Sequence, residues 1–314
     1  PWCKCPACRE KSKGDILIGH AVKLMKHLKE KGMKTVYMYN DMIVEHKTVH
    51  NGGNPANRAE QFMRAMKEND LLDVACLDWW SYKEQREQFP FKSTQPELGL
   101  RATVKPWNGY FHWAFMISAV KNNYHMSNVA REDGVEGVRS YSAWDNSYHR
   151  NHQIQADYFW NREGTGEPHE ASARYARRHF PTAVEDAVRA FDCMDDFTRR
   201  RNQKDPNNTE TSRYDMLFEN MTSYRYTYFI KGKDYPRNYP GEMVPRLRTE
   251  PEYMEDVQKM YALATEAFER FDRIAQTPGC DRTLALRYQY EARNYRNICR
   301  DWISIMEMDM WIIY

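Results

Sequence analysis

Three short apolar runs in the first half of the chain each end in aromatic residues beside a carboxylate. These runs cover residues 36–41, 74–80 and 138–145. Aromatic rings stack on the apolar faces of pyranose rings, and aspartate oxygens accept hydrogen bonds from sugar hydroxyls. Three such runs together indicate a carbohydrate pocket, although each one alone is equally well explained as the solvated end of a core strand.

Carboxylates in such runs are also candidates for catalysis. Glycoside hydrolysis uses two carboxyl groups, about 5 Å apart for retention of configuration and about 6.5–9.5 Å apart for inversion. Asp41, Asp78 and Asp145 are the candidates here. A carboxylate at a strand end can also hold a sugar hydroxyl or cap the next helix, so these roles remain open.

Cysteines at the start of the chain form a second group that could do chemistry. Cys3, Cys5 and Cys8 include a Cys-x-x-Cys spacing that is typical of zinc sites. A structural zinc needs a fourth ligand, for which Cys76 and His50 are available. A disulfide in an exported protein and free thiols are the alternatives. We therefore expect no required cofactor, with a structural zinc as one interpretation.

The composition limits the class of protein. At 314 residues the chain can form two domains, and a net charge of +2 with dispersed basic residues does not favour a nucleic-acid partner. The apolar residues 302–306 are followed at once by Glu307 and Asp309, so no membrane span is expected. The chain starts at Pro1 without methionine or export signal, and we expect any such signal to lie upstream.

Strand and helix patterns alternate up to about residue 163. Strands are predicted at residues 34–42, 72–77, 100–104 and 135–143, and helices at 15–31, 57–66, 111–123 and 154–160. Alternation implies parallel strands joined by right-handed crossovers. Because no Gly-rich dinucleotide fingerprint is present, and because acidic and aromatic residues follow the strands, we predict a barrel rather than a doubly wound sheet.

The second part of the chain carries only helical patterns. Gly164, Gly166 and Pro168 predict a linker between a domain of residues 1–163 and a domain of residues 164–314. Apolar stripes then predict helices, including one that starts near Glu252 and a final one over residues 284–313. The predicted fold class is α/β: the carboxyl-terminal half of a TIM-type (β/α)8 barrel followed by an all-α helical bundle.

Two segments carry a resemblance to a known family. Residues 2–8 read Trp-Cys-Lys-Cys-Pro-Ala-Cys, and residues 37–42, after a predicted helix, read Tyr-Met-Tyr-Asn-Asp-Met. These segments resemble the second half of a glycoside hydrolase barrel of the β-N-acetylhexosaminidase-like type, family twenty, and of related bacterial proteins with a Cys-x-Cys-x-x-Cys segment. The resemblance covers residues 1–161 and is strongest at residues 134–145 and 156–161.

The resemblance implies a substrate-binding wall for β-linked sugars, with N-acetylated sugars among the candidates. The implied wall residues are Tyr39, Asp41, Asp78, Trp79, Trp80, Trp107, Tyr141, Trp144 and Asp145. The Asp-Glu pair of these hydrolases would lie upstream of Pro1, in an amino-terminal barrel half of the same protein. A periplasmic or secreted location is also implied.

Two other functions remain open at this point. One is a carbohydrate-binding protein of hydrolase descent that lacks a working acid-base pair. The other is a barrel hydrolase of a different class that uses a metal held by Cys3, Cys5 and Cys8.

Overall fold

The computed structural model describes most of the chain, with gaps. The described residues are 5–6, 11, 13–39, 58–81, 99, 101–106, 108, 118–140, 148–201, 204–205, 208–212 and 252–313. Helices dominate these residues, together with a four-stranded parallel sheet. The predicted α/β class is therefore confirmed.

The elements follow one another in this order. They are α1 (Lys13–Glu30), β1 (Val36–Tyr39), α2 (Arg58–Glu68), β2 (Ala75–Ser81), β3 (Arg101–Pro106), α3 (Val120–Asp133), β4 (Gly137–Val138), α4 (His149–Trp160), α5 (Arg162–Thr165), α6 (Pro168–His179), α7 (Val184–Arg201), β5 (Lys204–Asp205), β6 (Asn208–Ser212), α8 (Glu252–Gln276) and α9 (Arg282–Ile313).

The chain divides into two compact units. The first comprises Pro1–Asn108, Lys121–Ser142 and Gln155–Glu163, and the second comprises Gly109–Val120, Ala143–Ile154 and Gly164–Tyr314. Strands β1 to β4 belong to the first unit, whereas helices α6 to α9 belong to the second.

The order of strands in the sheet is the order of the chain. Strand β1 pairs with β2, β2 with β3 and β3 with β4, all in parallel. The register sets Tyr39 beside Asp78, and Asp78 beside Thr103. Helix α2 connects β1 to β2, and helix α3 connects β3 to β4. Sequential order of this kind occurs in the wall of a (β/α) barrel, whereas a doubly wound sheet reverses its order at a switch point.

One face of this sheet is apolar and is covered by helices. Successive residues of a strand point to opposite faces, so Leu77 of β2 and Val104 of β3 share the covered face. These side chains are fully buried against α1, α2 and α3, where they contact a core that includes the residues Met25, Phe62, Met63, Met66, Met126 and Val129. Each such side chain contributes about 1.5–3 kcal/mol through burial.

The opposite face of the sheet is polar. Cys76 and Asp78 of β2 and Thr103 and Lys105 of β3 alternate with the apolar residues, and all four are buried. Strands of parallel sheets that are covered on both faces by helices are usually apolar throughout. Buried polar side chains on one face of a parallel sheet are therefore unusual, and the contacts that these side chains make with one another account for them.

Two glycines end helices of the first unit. Gly32 follows α1 with φ of +84° and Gly134 follows α3 with φ of +65°, a conformation that favours glycine. At the first of these ends the amide of Met33 donates to the carbonyl of Leu28 at 3.0 Å. The helix predicted over residues 15–31 is confirmed as α1, which ends at Glu30.

The second unit has an aromatic core. Its largest buried side chains are Tyr175, Phe180, Phe191, Phe197 and Tyr288. Phe191 packs edge-on against Phe271 and Tyr288, with ring centroids 5.3 and 5.2 Å away. The apolar stripes that predicted helices over the ranges of α7, α8 and α9 contribute to this core, for example through Phe191, Phe271 and Tyr288.

The residues predicted to form a linker connect two helices. Helix α5 ends at Thr165 and Pro168 begins α6, where a proline in the first turn loses no hydrogen bond, so Gly166 and Glu167 lie between the helices. One boundary between the two compact units lies between Glu163 and Gly164. The amide of Glu167 donates to the side chain of Glu170 at 2.9 Å and so caps this helix. The prediction of helices alone after residue 164 was wrong, because strands β5 and β6 form an antiparallel pair. Their polar sequence carries no apolar alternation that could have indicated strands.

No helix within the described ranges is both long enough and apolar enough to cross a membrane.

Candidate functional site

The polar face of the sheet is organised around Asp78. Only 1% of its side chain is exposed, and its Oδ1 atom accepts a hydrogen bond of 3.0 Å from Oγ1 of Thr103. The two residues are direct neighbours in the β2–β3 register. The strand pairing thus holds the carboxylate in a fixed position inside the first unit.

Two cations approach the other oxygen of this carboxylate. Lys105 Nζ lies 3.6 Å from Asp78 Oδ2, and Arg139 Nη1 lies 3.5 Å from the same atom. These distances exceed those of direct hydrogen bonds, so the contacts are Coulombic. The Lys105 side chain is 6% exposed and that of Arg139 is 44% exposed. Oδ2 of Asp78 therefore lies close to a buried cation, Lys105, and to an accessible cation, Arg139.

Arg139 is held from two further directions. Its backbone amide donates to the carbonyl of Val104 at 2.9 Å, which fixes the chain just after β4. Its guanidinium carbon lies 4.3 Å from the centre of the Tyr37 ring, a cation–π contact. The Tyr37 residue is 46% exposed. The stacked pair forms the accessible part of the site.

The amino-terminal end of the sheet is fixed by another arginine. The guanidinium of Arg101 donates to both carboxylate oxygens of Glu136, at 2.7 and 2.9 Å. It also donates to Thr35 Oγ1 at 3.1 Å and to the carbonyl of Asp73 at 2.8 Å. Hydrogen bonding to Glu136 raises the pKa of Arg101. The Arg101 side chain thus connects the starts of β1, β2, β3 and β4 and stabilises the sheet.

Cys76 shares the polar face but is not suited to react. Burial is the main cause that raises the pKa of its thiol to about 11, and the carboxylate of Glu136 adds to the effect. A thiol is a nucleophile or a metal ligand only as the thiolate. Cys76 is thus a buried, protonated thiol in this structure.

A network of amides lies where β3 and β4 end. Asn108 Nδ2 donates to Gln155 Oε1 at 2.7 Å and to Ser140 Oγ at 3.1 Å, and its Oδ1 accepts from Asn123 Nδ2 at 2.7 Å. Asn108, Asn123 and Gln155 are buried. The network joins the segment after β3 to the end of β4 and to helices α3 and α4, and so positions the carboxyl-terminal edge of the sheet.

The predicted site residues are only partly within the described chain. Asp78 lies at the centre of the polar cluster. Tyr39, Trp79 and Trp80 lie in strands, in register with Asp78, Val104 and Lys105, respectively. The remaining predicted residues lie outside the described ranges: Asp41, Trp107, Tyr141, Trp144, Asp145, Cys3, Cys8 and His50.

Of the three cysteines in the predicted zinc site, Cys5 alone lies within the described ranges. Cys5 is exposed, and its two neighbouring cysteines fall in undescribed segments. Within the described ranges, no group of three or more His, Cys, Asp or Glu side chains is arranged to hold a metal ion. The structural zinc stays a prediction.

Four residues of the cluster were not predicted from the sequence. They are Tyr37, Thr103, Lys105 and Arg139. A signal for two of them exists in residues 101–105, where Arg, Thr and Lys alternate with Ala and Val. Such alternation in a strand of a parallel sheet indicates one polar face.

A surface groove is also present in the first unit. Its volume is about 510 Å³, and all its lining residues belong to α1, α2 and the turn that follows α2. Ile18 and Val22 line it together with Lys23 and Lys26. Because these helices cover the apolar face of the sheet, the groove is separate from the cluster around Asp78.

The chain was compared with protein-family models, with curated proteins and with solved structures, and none of the three comparisons finds a match.

Proposed function

We propose that this chain supplies the substrate-binding wall of a glycoside-hydrolase-like (β/α) barrel that acts on β-linked sugars, with N-acetylated sugars among the candidates. One observation carries the proposal: a sequentially ordered parallel sheet has helices on one face and, on the other, the cluster of Asp78, Thr103, Lys105 and Arg139. In barrels the face turned away from the helices lines the interior, and ligands bind where the strands end.

The chemistry of the cluster suits a sugar ligand. Arginine and lysine donate hydrogen bonds to hydroxyl, carbonyl and carboxylate oxygens, and tyrosine offers a flat ring for stacking. Arg139 and Tyr37 present both features at the accessible side of the cluster. The amides around Asn108 hold the edge of the sheet from which sugar-binding residues would project.

The bond-breaking residue is proposed to lie elsewhere. Asp78 already has one oxygen bonded to Thr103 and the other facing Lys105 and Arg139, an arrangement that orients two cations. Asp41 and Asp145 remain candidates for proton transfer, and an amino-terminal barrel half would supply the general acid. Cys3, Cys5 and Cys8 are proposed to hold a structural zinc, and the protein is proposed to be periplasmic or secreted.

The engagement of Asp78 also favours a second candidate function. A carboxylate whose oxygens are held by groups of the same chain is a binding or positioning residue. The second candidate is therefore a carbohydrate-binding protein of barrel architecture that does not cleave its ligand.

One experiment separates these functions. The full protein is incubated with aryl β-glycosides, including the N-acetyl-glucosaminide and N-acetyl-galactosaminide, and sugar binding is measured in parallel by calorimetry. Release of the aryl group that is lost in Asp78→Asn supports the hydrolase wall, and binding without release supports the second candidate. Asp70→Asn is the control, since Asp70 is fully exposed in the same unit. Neither binding nor release with any sugar would overturn both functions.

A further inference from the structure

The site around Asp78 differs from a neutral sugar pocket in the charges that it contains. We infer that its ligand carries an oxyanion, so that the substrate class is acidic sugars, with a uronate carboxylate or a sulfate ester bound by Arg139. This inference rests on the proposed function and adds the chemical class of the ligand.

Within the described ranges, the guanidinium of Arg139 has N–H donors without an acceptor at direct hydrogen-bond distance. The contact between its Nη1 and Asp78 Oδ2, at 3.5 Å, is longer than a direct hydrogen bond. Its other side-chain contact within the described ranges is with the ring of Tyr37, which engages the face of the guanidinium and not its N–H groups. A guanidinium has five N–H donors in a planar fork. The edge of the fork can therefore bind a carboxylate or sulfate through two parallel hydrogen bonds.

The position of this guanidinium is set before a ligand arrives. Asp78 attracts it from one side, Tyr37 stacks on it, and the Arg139 amide is bonded to Val104 in the sheet. An arginine with a restrained side chain loses less conformational entropy on binding than one that is free in solvent. With 44% of the side chain exposed, the group remains accessible to a ligand.

Lys105 is a second cation beside the same carboxylate. Its ammonium lies 3.6 Å from the Asp78 oxygen that Arg139 approaches, in a buried position. Charges in buried positions are screened less by solvent and salt than exposed charges. The proposed oxyanion site is therefore next to a second, weakly screened cation.

Matched sugar pairs test this inference on the full protein. Calorimetry compares methyl β-glucuronide with methyl β-glucoside, and 6-sulfated with unsulfated N-acetylglucosamine, so that the two arms distinguish carboxylate from sulfate. We expect the acidic member of at least one pair to bind about ten-fold or more tightly, the scale of one charge-assisted hydrogen bond. The preference should shrink as salt concentration rises.

Two variants test whether Arg139 causes the preference for acidic sugars. In Arg139→Gln the acidic and neutral members of each pair should bind equally, whereas Arg139→Lys keeps the charge and should retain part of the preference. Arg131→Gln is the control, because Arg131 is an exposed arginine of the same unit that pairs with Glu163. Thermal unfolding of each variant verifies that it is folded.

The outcomes separate the inference from the function on which it rests. Equal binding of acidic and neutral sugars by the unmodified protein would overturn the inference and leave the sugar-binding function standing. An acidic preference that survives in Arg139→Gln would also overturn it. Failure to bind either member of every pair would overturn the proposed function, and the inference with it.

Discussion

The guanidinium carbon of Arg139 lies 4.3 Å from the ring centre of Tyr37, although the two residues lie at opposite edges of the four-stranded sheet. Tyr37 is on the outer strand β1, and Arg139 follows the outer strand β4. Neighbouring strands are about 4.8 Å apart, so three intervals separate these strands by about 14 Å. The two side chains therefore meet over β2 and β3, where Asp78 lies.

Asp78 should be essential to the stability of the first unit. Removal of one partner of a buried ion pair typically costs about 3–5 kcal/mol, and Asp78→Ala leaves the buried Lys105 without this counter-ion. We expect a loss at the lower end of that range, since Arg139 is half-exposed and is screened by solvent. Urea unfolding of Asp78→Ala and of the unmodified protein measures this loss in the free energy of unfolding. The exposed control Asp70→Asn should change the free energy of unfolding by less than about 0.5 kcal/mol.

The double variant Asp78→Ala/Lys105→Met provides a further check on this pair. Because it removes both charges, it should be less destabilised than the sum of the two single variants. Strict additivity of the two single effects would show that Asp78 and Lys105 do not interact.

The buried Arg150–Asp195 pair should be as important to the second unit. Arg150 Nη1 and Nη2 donate to the two carboxylate oxygens of Asp195 at 2.8 Å each, and Nη2 also donates to Ser172 Oγ at 2.7 Å. The Arg150 side chain is only 4% exposed and stacks on Phe191. Asp195→Ala should lower the free energy of unfolding by about 3–5 kcal/mol.

The exposed pair of Arg199 and Asp196 on the same helix is the control for that measurement. Asp196→Ala should cost less than about 1 kcal/mol, since exposed ion pairs contribute little. Equal losses from Asp195→Ala and Asp196→Ala in urea unfolding would contradict the assigned role of the buried pair.

Three histidines should make the stability of the second unit depend on pH. Burial lowers the pKa of His149, His152 and His179 below the ordinary value of 6.5. Near pH 7 these groups are mostly neutral in the folded and the unfolded chain. Below about pH 6.5 the unfolded chain binds protons more readily, so stability should fall as the pH decreases toward about 5.

Thermal unfolding between pH 7 and pH 5 measures this dependence. His149 and His179 lie with ring centroids 5.1 Å apart, and His149 Nδ1 is bonded to the Tyr175 hydroxyl at 2.7 Å. Asp281 favours protonation of both rings, whereas Arg287 opposes it at His149 and Arg178 opposes it at His179. His149→Gln should make the unfolding temperature less sensitive to acid than His169→Gln, in which an exposed histidine is replaced.

Thiol labelling should follow burial. The pKa of Cys76 is raised to about 11 and that of Cys193 to about 12, mainly by burial, and both side chains are buried. Iodoacetamide at about pH 8 should therefore modify Cys76 and Cys193 only after unfolding, as mass spectrometry of digested protein can show. Rapid labelling of Cys76 in the folded protein would contradict its position in the sheet.

The same labelling experiment tests the proposed zinc. Cys5 is exposed and should be labelled in the folded protein once a chelator is present. Protection of Cys3, Cys5 and Cys8 that is removed by the chelator, together with stoichiometric zinc in the purified protein, is the expected result. Labelling at the same rate with and without chelator would indicate that these thiols bind no metal.

The sequence by itself determined the class of the fold and several element ends. Apolar periodicity predicted the helix that spans Lys13–Glu30, and it predicted a helix that starts near Glu252, where α8 begins. It also named Asp41, Asp78 and Asp145 as candidate site residues, and of these Asp78 lies within the described ranges. These features depend on neighbours within a few positions, where side-chain spacing and capping act directly.

Strand limits were predicted less well than helices. The predicted strand at residues 72–77 begins at Ala75 and continues to Ser81, because pairing with β3 extends it through Trp79 and Trp80. Of the predicted strand at residues 135–143, the described part, residues 135–140, forms a strand at Gly137–Val138. Local propensity does not contain the partner strand, and the partner decides where hydrogen bonding stops.

Only the tertiary structure decided which residues surround Asp78. Thr103 is 25 positions away in the chain and reaches the carboxylate because the β2–β3 register sets the two residues side by side. Arg139 reaches it because β4 pairs with β3. A shift of one residue in either register would turn these side chains to the opposite face. The residue types determined what chemistry is available, and the strand pairing determined which of them meet.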